Sequence, residues 1–397
     1  MVWFAVFLGG FVFYEPAPYE LFLALLIPAW CFFGFPVPRT IGPLFFLLMV
    51  FLAGGILSTT QSRIVDEEPV YIATTAFLCF SACFYATVVA QEPRRLELIS
   101  TAWIIAGLAT TGLGVIGYVG LSGDLFVKYG RADGGFQDPN VFGPFLIFPA
   151  VILVQKLLMK PARFGIFYGA GALFILFGVF LSGSRAAWGL AVFALAAMGV
   201  LLFITEKRSS VRTRYLILAA LGAVAIVVML AVALSVPAIQ ELFSERAKLD
   251  QDYDVGHLGR FARHAIGLNM MLEHPLGIGA LEFGHMFPED EHDIWLKTLT
   301  TYGWAGFAAY LSLVVWTLKA SAPALFRSGP LQPIAQVAYV VFLGHIFTGT
   351  VIDIDHWRHV YLLLGMLWGI VAIHRRENSE RLSRLATPAT SAQAAPA

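Results

Sequence analysis

Twelve apolar runs recur along almost the whole chain, near residues 2–14, 18–34, 41–60, 69–90, 98–121, 140–158, 164–182, 185–205, 215–236, 295–318, 333–352 and 357–374. A helix needs about 20 such residues to cross a bilayer core, and most of these runs approach that length. The first, about 13 residues, is short and must tilt or begin in the interface. The expectation is an all-α polytopic membrane protein of about twelve transmembrane helices. Composition agrees: 13% of residues are charged and 58% hydrophobic, against about 25% charged in soluble domains. Such a chain lacks the polar surface to face water all round. Its formal net charge of zero leaves no basic face for nucleic acid. Cys31, Cys79 and Cys83 lie inside apolar runs and read as small buried hydrophobes. Cys79 and Cys83 share a helix face, but no His or carboxylate stands beside them, so no metal site is expected there.

Lys and Arg are distributed unevenly over alternate connections. One set, from Arg39 through the Lys156–Arg163 and Lys207–Arg214 segments to Arg384, holds sixteen; the short connections of the other hold five, Arg63, Lys128, Arg131, Arg185 and Arg358. By the positive-inside rule the first set is cytoplasmic, and both termini are expected inside. The long polar stretch 237–294, between the ninth and tenth runs, then lies outside the membrane. The bundle is expected to occupy residues 1–376. The tail, 377–397, is rich in Ala, Ser, Thr and Pro and is expected to be disordered in the cytoplasm.

This orientation gathers the unusual polar groups on one side. GRADGGFQDPNVFG (130–143) precedes the sixth run, with Arg131 and Asn140. SGSRAAW (182–188) is a tight hairpin carrying Arg185. The long stretch holds GHLGRFARHA (256–265) with Arg260 and Arg263, HPLGIGALEFGHMF (274–287), and EDEHD (289–293) with His292 and Asp293. DIDHWRH (353–359) joins the last two runs and carries Asp353, His356 and Arg358. Each has a structural reading. Asp138 can cap a helix whose first residue is Pro139; Arg185 can snorkel to the headgroups; Arg260 and Arg263 can form a solvated face; 353–359 can be an interhelical salt-bridge cluster. His292 stands apart because it opens an apolar helix, where the positive dipole end favours the neutral imidazole that a general base requires. The flanking carboxylates pull the other way, and the sequence leaves that balance open.

Taken in order, DPN (138–140), SGSR (182–185), GR (259–260), HPLGIGALEF (274–283) and a His followed by YGWAGF (302–307) resemble the O-antigen ligase and polysaccharide polymerase superfamily of bacterial inner membranes. The segment YEPAPYELFL (14–23) is more similar to exopolysaccharide polymerases than to lipopolysaccharide ligases. The resemblance implies a GT-C-like architecture with one long periplasmic loop between the ninth and tenth helices. It also implies an active site open to the periplasm, and an undecaprenyl-diphosphate-linked glycan as donor. The acceptor would be another glycan or a lipid A core, within membrane lipids and without nucleic acid or cofactor; a chain-length regulator is a further candidate partner. Carried over to this chain, His292 is the catalytic histidine, and Arg185 and Arg260 contact the pyrophosphate, joined by Arg131 and Asn140 as substrate-binding candidates. Asp293, Asp353, His356 and Arg358 are candidates to support them. One departure is that the family often has Asn after this His, where Asp293 stands here. The expected reaction is inverting, metal-independent polymerisation of repeat units. Ligation to lipid A core is the nearest alternative, and a polysaccharide or lipid transporter or flippase the alternative from another class.

Overall fold

A computed structural model describes residues 1–34, 36–63, 66–123, 125–160, 162–247 and 259–386. In chain order the helices are α1 (Val2–Leu8), α2 (Pro18–Phe32), α3 (Gly42–Ser58), α4 (Glu68–Gln91), α5 (Arg95–Tyr118), α6 (Pro139–Phe145), α7 (Ile147–Met159), α8 (Gly165–Leu181), α9 (Arg185–Thr205), α10 (Ser209–Ala233), α11 (Pro237–Arg246), α12 (Arg260–Glu273), α13 (Glu282–Met286), α14 (Ile294–Ser321), α15 (Gln332–Thr348) and α16 (Arg358–Ala386). A two-stranded hairpin, β1 (Val127–Lys128) and β2 (Arg131–Ala132), lies between α5 and α6. Its turn residues Tyr129 and Gly130 both have positive φ, the pattern of a two-residue hairpin turn matched to strand twist.

The all-α membrane class stands. Among the described residues, seven helices are long and apolar enough to cross a membrane by length and composition; the helices Pro18–Phe32, Gly165–Leu181 and Gln332–Thr348 are apolar but shorter. The first run yields only Val2–Leu8, because Gly9 and Gly10 follow it in a turn. The tail also departs from expectation: α16 continues as helix to Ala386, into the segment expected to be disordered.

Small residues set the packing. α16 runs along α4 and α14 along α3. A Cβ on Gly365 would fall 2.8 Å from the Ala82 carbonyl and 2.7 Å from the Tyr85 Cβ, so the first pair meets nearly backbone to backbone. That is the usual solution where lipid offers no hydrophobic drive between helices. α10 is the opposite case, with only 6% of its apolar window buried; Leu221, Val224 and Val228 point outward, as suits a helix facing lipid. Cys79 is buried and Cys83 half-buried, whereas Cys31 is exposed, contrary to its reading as a buried hydrophobe.

The segment 237–294 is folded where it is described. α11 packs over the hairpin before α9 through the stacked rings of Trp188 and Phe243. The motifs 274–283 and 302–307 interlock. α14 is kinked at Gly303 (φ 64°), which frees the Trp304 N–H to donate to the Pro275 carbonyl at 3.1 Å, while Ile278 N–H donates to the Thr300 carbonyl at 2.8 Å. A Cβ on Gly303 would lie 2.7 Å from the Leu276 carbonyl carbon. The glycine is therefore required twice, for its left-handed backbone and for the close approach.

Candidate functional site

Connections that the charge pattern assigns to one side of the membrane meet at one end of the bundle, in two groups. The first centres on Arg131, which is 5% exposed. Its Nε donates to the Ser182 carbonyl at 2.7 Å and its Nη2 to Asn140 Oδ1 at 2.7 Å. Arg131 thus ties the 130–143 motif to the SGSR hairpin, and the structure joins Arg131 and Asn140 as neighbours. Asp138 accepts from Asn140 N–H at 2.8 Å as the cap of α6, in keeping with its structural reading. Ser184 caps α9, and Arg185, half-buried, is that helix's first residue. Nearby Asp133 is buried with one carboxylate oxygen lacking a hydrogen-bond partner, and burial pushes its pKa up to about 6.

The second group centres on His292. Asp293, one residue on, is the true cap of α14, accepting from Trp295 and Leu296 N–H at 2.8 and 3.3 Å. His292 stands just outside the helix with φ 49°, a conformation uncommon for a non-glycine and costing about 1–3 kcal/mol. Asp353 reaches across from the connection between α15 and α16. Its carboxylate accepts the backbone N–H of His292 at 3.3 Å and of Asp293 at 3.0 Å, and lies 3.9 Å from His292 Nδ1. That last separation is too long for a hydrogen bond but within ion-pair distance should both groups be charged. The His292 side chain remains 36% exposed. Burial raises the Asp353 carboxyl pKa; Lys297 opposes this, and Glu291 and Asp355 reinforce it.

Beneath His292 lies a polar layer. Glu291 and Lys297 form a buried ion pair at 3.0 Å with side-chain exposures of 1% and 4%, and Thr300 Oγ1 donates to Glu291 at 2.5 Å. His264 Nε2 meets the Glu291 carbonyl at 2.7 Å, and its Nδ1 lies 3.9 Å from Asp293. Next to this layer, Tyr71 and Tyr302 hydroxyls donate to Asp355 at 2.6 and 3.2 Å. His356 Nε2 contacts Thr75 Oγ1 at 2.9 Å, its ring 4.0 Å from that of Tyr71. Burial lowers the His356 pKa.

Several sequence expectations are thereby sorted. Asp353 and Asp293 stand beside His292, whereas His356 belongs to the Tyr71–Asp355 layer. Arg358 is drawn away: it pairs with Glu15 at 2.9 Å and with Glu20, so for this residue the structural reading holds. Arg260 opens α12, but its side chain lies outside the described residues. Arg263, for which a solvated face is one reading, is 2% exposed and donates to Glu289 at 2.7 Å. Lys297 escaped the sequence reading, although a lone lysine one turn inside an apolar run is itself the signal of a buried partner. Among the described residues no group of three or more His, Cys, Asp or Glu side chains is disposed to hold a metal ion.

Comparison with protein families finds a match over residues 170–311 to the family described as O-antigen ligase. The matched span runs from α8 through the SGSR hairpin and the long segment into α14, and so includes Arg185, Arg260 and His292 while leaving out Arg131 and Asn140. No curated protein matches the chain.

Proposed function

We propose that this multi-pass membrane enzyme, which carries an O-antigen ligase family domain over residues 170–311, polymerises lipid-linked glycan repeat units at the periplasmic face of a bacterial inner membrane. In this reading about twelve segments cross the bilayer, 237–294 lies in the periplasm, and both termini lie in the cytoplasm. The donor is an undecaprenyl-diphosphate glycan and the acceptor is the hydroxyl of a second lipid-linked unit.

His292 takes the proton of the acceptor hydroxyl as the oxygen attacks the anomeric carbon. The bond from that carbon to the diphosphate oxygen breaks, its electron pair leaves with the diphosphate, and the anomeric configuration inverts. Asp353 then faces the imidazolium that forms. Arg185 and Arg260 bind the diphosphate, where guanidinium forks provide permanently charged, bidentate donors as negative charge accumulates. Arg131 holds the hairpin that carries Arg185, and its bond to Asn140 fixes that group's geometry.

The observation that carries this reading is the part-exposed His292 imidazole, held at its backbone by Asp353 and facing that carboxylate through Nδ1. The deciding experiment supplies purified protein with lipid-linked repeat units and no core acceptor. A ladder of longer products is expected, with full rate in excess EDTA. Reaction only after lipid A core is added would make the enzyme a ligase, and no transfer to either acceptor would overturn the reading.

A further inference from the structure

We propose that a cavity at the end of the bundle opposite His292 binds the phosphate headgroup of an anionic phospholipid. The cavity, about 620 Å³, lies between the start of α5, the end of α7 and the start of α15. The far ends of the same helices lead into the 130–143 motif and the 353–359 connection, so chain direction alone puts the cavity at the other membrane face. That face also carries the excess of Lys and Arg in the connections.

Three cations, Arg94, Lys156 and Lys160, line the cavity against one carboxylate, Glu97. Lys156 is half-buried, and among the described residues no hydrogen bond or ion pair engages its ammonium; Glu97 and Lys160 act on it only through space. Arg214 extends the positive field, its Nη2 donating to the Lys160 carbonyl at 2.7 Å. A half-buried ammonium with no protein acceptor leaves its three N–H donors to water or to a bound anion. The remaining walls include Ile152, Met159 and Leu331, apolar surface that a free phosphate would leave uncovered. A glycerophospholipid satisfies both halves, its phosphate at the cations and its glycerol and first acyl carbons against the apolar wall. Basic pockets between membrane helices on the cytoplasmic side recognise lipid headgroups in this way. The site is separate from the glycosyl-transfer chemistry and does not depend on it.

The test uses the full-length protein in detergent, with phosphatidylglycerol, phosphatidylcholine or inorganic phosphate added, and reads bound lipid by native mass spectrometry and unfolding temperature by scanning fluorimetry. Phosphatidylglycerol is expected to be retained and to raise the unfolding temperature, with little effect from phosphatidylcholine or phosphate. The double variant Lys156→Gln/Lys160→Gln should bind phosphatidylglycerol at least ~10-fold more weakly. Should that variant not fold, the exposed Arg94→Gln provides the same comparison with a smaller loss. Equal retention of phosphatidylcholine, or unchanged binding in the variants, overturns the proposal. Stabilisation by inorganic phosphate equal to that by phosphatidylglycerol also overturns it, in favour of a free-anion site.

Discussion

The carboxylate of Asp353 accepts the backbone N–H of His292 at 3.3 Å and lies 3.9 Å from Nδ1 of the same residue. One side chain therefore both anchors the histidine's backbone and stands beside its ring. The two residues are 61 positions apart, and the contact brings the end of segment 237–294 against the connection between α15 and α16.

On the proposed mechanism, Asp353 should make the chemistry pH-dependent in a defined direction. Burial raises its carboxyl from 3.8 to about 8, so it is largely neutral below that pH and charged above it. Charging it favours the imidazolium and strengthens His292 as a base. The transfer rate should therefore rise as pH passes through about 8, and Asp353→Asn should flatten that limb of the kcat profile. Stability runs the other way: between 3.8 and about 8 the folded state holds the proton more tightly than the unfolded chain, so this group's contribution falls as pH rises. A rate limb that persists unchanged in Asp353→Asn would exclude the coupling.

Removal of the imidazole should be more severe. His292→Ala is expected to lower kcat by about 10²–10⁴-fold, the usual worth of a general base, with normal membrane insertion and an unfolding temperature near wild type. Comparable turnover by the variant with pure lipid-linked donor would assign the base elsewhere.

Arg185→Lys should cost about 10²–10³-fold in kcat, the range for losing an oxyanion donor, since an ammonium cannot reproduce the bidentate fork. Arg131→Lys is expected to act differently. Arg131 spends its donors on Ser182 and Asn140, so its loss should loosen the hairpin, visible as faster hydrogen exchange at 182–188 along with reduced activity. Unaltered exchange in that hairpin would contradict the tethering role.

The buried Glu291–Lys297 pair offers a stability test. Glu291→Ala leaves an uncompensated buried ammonium and should destabilise by about 3–5 kcal/mol. The double substitution Glu291→Leu/Lys297→Met removes both charges and should recover most of that loss. Thermal unfolding in detergent distinguishes these outcomes, and equal destabilisation by single and double variants would refute the pairing argument.

Gly303→Ala should destabilise by about 2 kcal/mol or more, since an alanine pays for the left-handed backbone and its Cβ meets the Leu276 main chain at 2.7 Å. The kink ties α14, which Asp293 caps beside His292, to residues 275–278, so lost transfer activity should accompany the lowered unfolding temperature. A variant as stable as wild type would show that the kink relaxes freely.

Sequence alone determined the class of this protein, because apolar runs of membrane-spanning length admit few alternatives once backbone groups must be satisfied within lipid. It also determined local devices whose partners lie a few residues away, such as the Asp138 cap of the helix that Pro139 opens. Tertiary structure decided what depends on partners far along the chain. Asp353 reaches His292, while Arg358, five residues on, turns instead to Glu15 and Glu20; nothing in DIDHWRH separates these two fates. Arg263 could pass for a solvated charge until Glu289 is brought against it, and the partner of Lys297 is known only once Glu291 stands beside it. Helix periodicity reports which face a residue occupies, but charge pairing across a bundle is fixed only when the helices pack and exclude water.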